Sequence, residues 1–387
     1  MMPLQEMLYT LTISLIHVHL CCSHSLVFPF HLLNTLGTMS TVIVGAGIIG
    51  ISIAYRIAEL NPNADITIVS KHFPDSGLLD PEYTSSKAGA HFRPFPSKSA
   101  VEYRDSKFTR GTYEKYKKWA VEHPESSIKM IKGIDYLEFG NALYENVAEG
   151  YSEVVEDFHV IPKDQLPTGV RFGAEYTTFS VNPHEVMKFM LNSLIIRQKV
   201  KVVQREVKSL REVSLLYPGL PIVNCTGNGL LYDGNHDPSC FPIRGQTLLV
   251  RAPLEALDYY ENHTVTYQLS NGEWCFVIPR PLNGGIIVGG TKDMGGTSLT
   301  ALDSETQSLI SNARVRFPDL FSDGELDILR VNVGFRPARK GGVRLEREVI
   351  EGTVIVHCYG FGGSGVEMSY GAAEKAVDLL HSIKVKL

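Results

Sequence analysis

Apolar residues along this chain fall into short β-branched runs alternating with stretches of helical spacing, a pattern that predicts a mixed fold of strands and helices. Residues 41–44 are apolar and β-branched, residues 51–58 carry helix character, and a second strand is expected over residues 65–69. An amphipathic, strongly charged helix is expected over residues 106–123, followed by strand-like runs at 133–139 and 176–181. Asn182-Pro183 then opens another helix, with Asn182 as the cap and Pro183 at the first helical position. Its Val186, Phe189, Met190 and Leu194 recur at helical spacing and read as a core stripe. Strand character returns at 200–203 and 221–225, and the runs 274–279 and 286–290 flank Asn283-Gly284 as a hairpin. Ser304 and Glu305 start a helix that stops near Pro318, and a strand at 353–356 leads through a glycine-rich loop into a last helix ending near Leu380.

Composition narrows the reading. The 387 residues are 44% hydrophobic and 20% charged, which suits a globular chain long enough for two intertwined domains. A net charge of -5 and a pI near 6.2 provide no concentrated basic face, so nucleic acid is not an expected partner. The six cysteines, Cys21, Cys22, Cys225, Cys240, Cys275 and Cys358, show neither zinc-site spacing nor a disulfide framework, so no metal is expected and a reducing compartment fits. Residues 1–38 carry a single charge, Glu6, and a greasy stretch from Met7 to Leu20 interrupted by His17 and His19. That stretch is short of the ~20 apolar residues that span a bilayer and lacks a preceding Lys or Arg. Residues 1–38 are therefore expected to lie outside the fold, with a targeting or anchor segment as the alternative, and stable membrane insertion is not expected.

The strand at 41–44 runs directly into Gly45-Ala46-Gly47-Ile48-Ile49-Gly50, a G-x-G-x-x-G motif in its required strand, turn and helix context. Gly45 permits the turn, Gly47 lets a pyrophosphate approach the backbone, Gly50 allows close helix packing, and the helix N-terminus favours anionic phosphates. Dinucleotide folds usually end the second strand on an acidic residue that holds a ribose hydroxyl. Here it ends Ser70-Lys71-His72, which weakens a simple NAD reading; Lys71 either approaches a phosphate or is an exposed lysine at a strand end. The segment 84–96 is small, polar and turn-rich, so it either lines a ligand or is a long loop. A second glycine loop, Gly360 to Gly365, enters the last helix and directs backbone N–H groups and the positive dipole end at whatever lies before it, or is a plain strand-to-helix turn. Arg336, in Gly334-Phe335-Arg336-Pro337, is either a carboxylate clamp or a surface ion pair.

Taken together, these residues resemble the D-amino-acid oxidase and D-aspartate oxidase family. The matching pieces are residues 42–50, 84–90, Val223-Asn224-Cys225-Thr226-Gly227, Phe241-Pro242-Ile243-Arg244-Gly245-Gln246, Val277-Ile278-Pro279 with Gly289-Gly290-Thr291, 334–346 and 359–371, in family order. The resemblance implies an α/β fold: a Rossmann-type FAD-binding domain from residues 39–95, 200–248 and 331–387, interleaved with a mixed α+β substrate domain from 96–199 and 249–330. It implies oxidation of a D-amino acid to the imino acid, then to the 2-oxo acid and ammonia, with hydride passing to flavin and O2 becoming H2O2. By motif position Arg336 would bind the substrate carboxylate and the Gly363 carbonyl its amino group. The flavin ring would lie along Ala88, Gly89 and Ala90 and along Gly362, Gly363, Ser364, Gly365, Val366 and Glu367. Thr84 and Ser85 belong to the same cofactor-facing piece, and Val207 and Thr226 match positions that touch the adenosine half.

The chain also departs from the family. Phe276 stands where a substrate-contacting tyrosine is common, and Gly272 stands where a second is expected four residues earlier. Another donor must then substitute, with His91 and Arg93 as candidates, or the substrate differs. Oxidation of a secondary or N-methylated amino acid, or flavin binding without turnover, are the alternative readings, and a nicotinamide dehydrogenase leaves the C-terminal glycine loop unexplained. Arg244 does not decide between acidic and neutral substrates. The terminal Val385-Lys386-Leu387 departs from the Ser-Lys-Leu address of many relatives, which leaves peroxisome or cytoplasm as the expected location and a homodimer as a possible assembly.

Overall fold

Residues 40–382 are described by the structure, a computed structural model. The extension over 1–38 and the terminal Val385-Lys386-Leu387 lie outside the described residues. β1 (Ser40–Val44) turns into α1 (Ile48–Leu60), and β2 (Asp65–Ser70) lies parallel to β1 with Val44 opposite Val69. The long α2 (Ala100–Glu122) precedes β3 (Ile128–Leu137), the single turn α3 (Ala142–Glu145), β4 (His159–Val160) and β5 (Phe172–Val181). Then come α4 (Pro183–Gln198), β6 (Lys201–Gln204), α5 (Leu210–Leu216), β7 (Ile222–Asn224) and β8 (Cys240–Val250). α6 (Leu254–Asn262), β9 (His263–Gln268), β10 (Trp274–Pro279), β11 (Ile286–Gly289), β12 (Asp293–Met294) and α7 (Asp303–Arg316) follow. The chain closes with β13 (Phe321–Ser322), β14 (Glu325–Leu326), β15 (Ile328–Arg339), β16 (Arg344–Ile350), β17 (Thr353–Tyr359) and α8 (Gly365–His381).

Two sheets result. The first has the order β16-β17-β7-β1-β2-β6, parallel except for the antiparallel edge strand β16. Its central strands are buried on both faces, which is why they read as continuous apolar runs. Ile43 and the α1 residues Ile51 and Ile53 are fully buried, each contributing roughly 1.5–3 kcal/mol of transfer free energy. The second sheet has the order β12-β8-β11-β10-β9-β3-β5-β4, with β15 paired along the length of β8.

The second sheet takes residues that the sequence reading places with the nucleotide domain. Residues 240–248 and 331–339 pair with each other from Cys240 and Arg339 to Leu248 and Val331, and β8 also pairs with β11. These backbone bonds join strands about 90 residues apart in the chain, so no local signal marks the exchange. The helix α2, expected on the substrate side, lies against α8 and so thickens the helical layer beside the first sheet. At α4 the stripe Val186, Met190 and Leu194 is buried as expected. Asn182 occupies the cap position, but its side chain makes no capping bond; only its carbonyl accepts the Val186 N–H.

Polar side chains tie β15 of the second sheet to β17 of the first. Asp237 accepts bonds from Arg339 Nε at 2.8 Å, Tyr359 Oη at 3.0 Å and the Ser239 N–H at 2.8 Å. Burial alone would raise its pKa, but these donors outweigh it and hold the carboxyl down to about 2. A depressed acid contributes stability that is fully present above its ordinary value near 4 and is lost as pH falls through about 2. Asp237→Asn is therefore expected to lower unfolding stability by roughly 2 kcal/mol at pH 7 and to flatten its loss between pH 4 and 2. Urea melts across that range check it; equal acid slopes for the two proteins would count against the assignment.

Candidate active site

The turn after β1 is built for close approach. Gly45 has φ +105°, and a Cβ there would lie 2.4 Å from the Cys225 carbonyl oxygen; one on Gly50 would lie 1.9 Å from the Gly45 carbonyl. Only glycine lets α1 begin this near the strand ends, with its first residues, Ile48 and Ile49, lining the cavity. Ser85 Oγ accepts the Ile48 N–H at 3.1 Å, the place a phosphate oxygen would take.

From this turn a single cavity of about 1170 Å³ runs between the sheets. That is beyond the ~300–1,000 Å³ usual for a small-molecule site, and so has room for a dinucleotide and a second molecule. Its lining includes Gly45, Ala46, Gly47, Ile48, Ile49, Lys71, Thr84, Ser85, Ala88, Gly89, Ala90, Val207, Thr226 and the loop from Gly362 to Glu367. His91, Phe276 and Arg336 line it as well, so one space unites every candidate except Gly50, which packs the helix against the turn. Lys71 reaches the cavity but spends its ammonium on Glu82 at 3.1 Å, and Thr226 Oγ1 is engaged with Asn224 and the Leu230 N–H.

Arg336 is the electrostatic focus. Its guanidinium lies over Gly245, where a Cβ would come 2.5 Å from Nη1, and its Cδ methylene lies beside Gly363. Among the described residues its one hydrogen bond is Nη1 to the Thr291 carbonyl at 3.0 Å, and no carboxylate pairs with it. Burial alone pulls its pKa down, the mark of a cation whose counter-charge has yet to arrive. A carboxylate would be clamped there by charge-assisted bonds.

His91 has a fixed tautomer. The Thr264 hydroxyl donates to the Val277 carbonyl at 2.8 Å, so it must accept from His91 Nδ1 at 2.8 Å, which leaves Nε2 unprotonated. Burial, then Arg93, holds the ring's pKa down to about 3, so it is neutral at pH 7. Its remaining nitrogen, Nε2, can only accept, and it is too weak a base to take a proton from an ammonium.

Two participants, Arg280 and Asp135, escape sequence reading. Arg280 is 5% exposed and donates to the carbonyls of Ser86 at 3.1 Å, Ala88 at 2.5 Å and Gly89 at 2.9 Å, thereby holding the cavity-lining segment. Arg93 Nε bonds Asp135 Oδ1 at 2.7 Å inside the protein, and the Arg93 N–H donates to Glu367 at 3.1 Å. Burial raises the Glu367 carboxyl despite these donors. Asp135 leaves a faint signal, a charged residue inside an otherwise alternating strand; Arg280 leaves none.

These donors fit a dinucleotide with a flat ring at one end: a glycine turn and helix N-terminus for phosphates, a polar backbone segment braced by Arg280, and a second helix start at Gly362. Residues 40–379 match the protein family described as DAO, FAD dependent oxidoreductase. A D-aspartate oxidase of Talaromyces thermophilus is 34% identical over 88% of this chain and 94% of its own length. A D-amino-acid oxidase of Schizosaccharomyces pombe is 32% identical over 89% and 97%. In fold, the chain is similar to an L-proline dehydrogenase from P. horikoshii, with TM-score 0.70 and 18% identity over 90% of this chain and 95% of the other. A glycine oxidase from Bacillus cereus gives TM-score 0.67 at 17% identity over 88% and 96%.

Proposed function

We infer, from the premise that this chain belongs to the DAO family of FAD-dependent oxidoreductases, that it is an FAD-dependent D-amino-acid oxidase. The observation that carries the reading is Arg336, a buried cation without a counter-charge, in the same cavity as both glycine loops. FAD supplies the two-electron acceptor for the substrate's Cα–H and passes the electrons to O2.

The chain's own part is orientation. Arg336 takes the α-carboxylate and the neighbouring Gly363 carbonyl accepts from the amino group, which fixes two of the four substituents on Cα; the wall that would hold the ring is the third point of contact, so only one enantiomer points its C–H at it. Ala88 to Ala90 and Gly362 to Glu367 form the walls that would hold the ring, Gly45 to Gly50 with Ser85 would hold the pyrophosphate, and Val207 and Thr226 would flank the adenosine. Phe276 and Ile278 make an apolar wall that excludes water from the reacting carbon. No side chain needs to act as a strong base: a substrate amine in its neutral form loses hydride, and the imino acid hydrolyses in water to the 2-oxo acid and ammonia.

The test is anaerobic addition of a panel of D- and L-amino acids to the flavin-loaded protein. Bleaching of the flavin band by D- but not L-amino acids is the expected result; reduction only by secondary amines would replace the reading. Residence in the peroxisome or cytoplasm and association as a homodimer belong to the same proposal, on sequence grounds. A fluorescent fusion with and without the last three residues, and light scattering of the purified protein, test them.

A further inference from the structure

On the cavity face of the second sheet, Trp274, Phe276 and Ile278 alternate along β10, and Thr266 and Gln268 stand opposite Phe276 and Trp274 on β9. None of the three β10 residues brings a hydroxyl. A polar cluster stands beyond them instead, assembled from three separate parts of the chain. Tyr144, on the single turn α3, receives Gln268 Nε2 at 3.1 Å and Arg93 Nη2 at 3.3 Å on its phenol oxygen. The Arg93 guanidinium lies 4.7 Å from the centre of the Trp274 ring and is anchored by Asp135.

The proton count of this cluster does not close. A phenol oxygen has two lone pairs, and both are taken, so the Tyr144 O–H must donate elsewhere. Neither neighbouring oxygen receives it, since Asp135 Oδ2 and Tyr151 Oη have no partner at all. With the Gln268 amide turned the other way, the phenol donates to the amide oxygen and the amide N–H groups are left over instead. Either orientation leaves a donor in excess, on residues that line the cavity and are less than a tenth exposed. An unmatched buried donor is costly, and a ligand bearing an acceptor would relieve it.

We propose that Tyr144, held by Arg93 and Gln268, closes the side-chain end of the substrate pocket and selects D-amino acids whose side chain ends in a carbonyl oxygen, as carboxylate or carboxamide. This rests on the oxidase reading above. The Arg336 guanidinium lies over β8, while the cluster spans Trp274 on β10 and Gln268 on β9, two to three strand spacings or roughly 10–14 Å away. A small amino acid with an oxygen-bearing group at each end spans that distance with a hydrogen bond at either side. Since Asp135 already matches the Arg93 charge, recognition falls to hydrogen-bond donors, which serve a carboxamide as well as a carboxylate. An aliphatic side chain leaves the donor unmatched, and a cationic one adds donors beside Arg93.

The experiment measures kcat/KM of the holoenzyme for D-asparagine, D-aspartate, D-alanine and D-valine. For the parent protein, D-asparagine or D-aspartate is expected to exceed D-valine. In Tyr144→Phe, which keeps the ring packed on Tyr151 and Phe172, the ratio of either to D-alanine is expected to fall about tenfold. Loss on one of the two names that group as the ligand, and loss on both names the shared oxygen; Gln268→Leu repeats the test should Tyr144→Phe fail to fold. Unchanged ratios in a protein that D-alanine still reduces would overturn this inference alone. Failure of every D-amino acid to reduce the parent flavin would remove the oxidase reading beneath it.

Discussion

Arg336→Ala is expected to lower kcat/KM for every amino-acid substrate by roughly a hundred- to a thousandfold while the protein still purifies with bound flavin. The magnitude is that of removing one partner from a desolvated, hydrogen-bonded charge pair. The effect separates from misfolding in an unusual way. In the free protein Arg336 is a buried cation with one carbonyl for company, so deleting it removes a desolvation cost, and the substrate-free melting temperature is expected not to fall. Arg336→Lys retains the charge and loses the fork that matches two carboxylate oxygens, so it should lie between the two. Steady-state kinetics, the visible flavin spectrum and a thermal melt together check the claim. Kinetics within tenfold of the parent would remove Arg336 from the site, and a sharply lowered melting temperature would make its role structural.

Arg280 should fail in the opposite manner. Arg280→Met removes the donors from three carbonyls in residues 86–89, that of Ser86 buried and those of Ala88 and Gly89 partly so, each costing up to about 1–3 kcal/mol when left unmatched. Destabilisation of roughly 3–5 kcal/mol is expected, together with at least tenfold weaker FAD binding, because the segment that loses its brace forms one wall of the cavity. Arg280→Lys, with three N–H donors on a single nitrogen, should recover part of both. Chemical denaturation of the flavin-free protein and titration with FAD followed by flavin fluorescence separate the two losses. A protein that binds FAD as tightly as the parent would show that the segment needs no brace.

The two arginines differ in how visible they are in the chain. Arg336 stands in a run, Gly334-Phe335-Arg336-Pro337, that carries its own context, and it lines the cavity. Arg280 follows Pro279 at the end of a hairpin strand and looks like any polar residue before a turn, since its three acceptors lie more than 190 residues earlier. The same holds for Tyr144, 51 residues from Arg93 and 124 from Gln268. The absence of tyrosine at 272 and 276 announces that another donor is needed, but not where it comes from: the remaining nitrogen of His91 can only accept, and Arg93 acts beside a tyrosine that no motif contains. Asn182 is the converse case, a good capping residue by type whose side chain nonetheless leaves the helix start uncapped.

What the sequence determined by itself is therefore whatever local physics dictates. The β1–α1 turn is legible because glycine positions, strand and helix all fall within about 20 residues, and the steric demands that exclude a Cβ at Gly45 and Gly50 act within the turn and on the strand end beside it. Helix and strand periodicities survive for the same reason. Tertiary structure alone decided which sheet β8 and β15 join, which buried cations find carboxylates and which are left without them, and where a surplus hydrogen-bond donor faces the cavity. Those outcomes depend on backbone and side-chain bonds between segments far apart in the chain, whose partners are specified by packing rather than by any pattern within reach of one another.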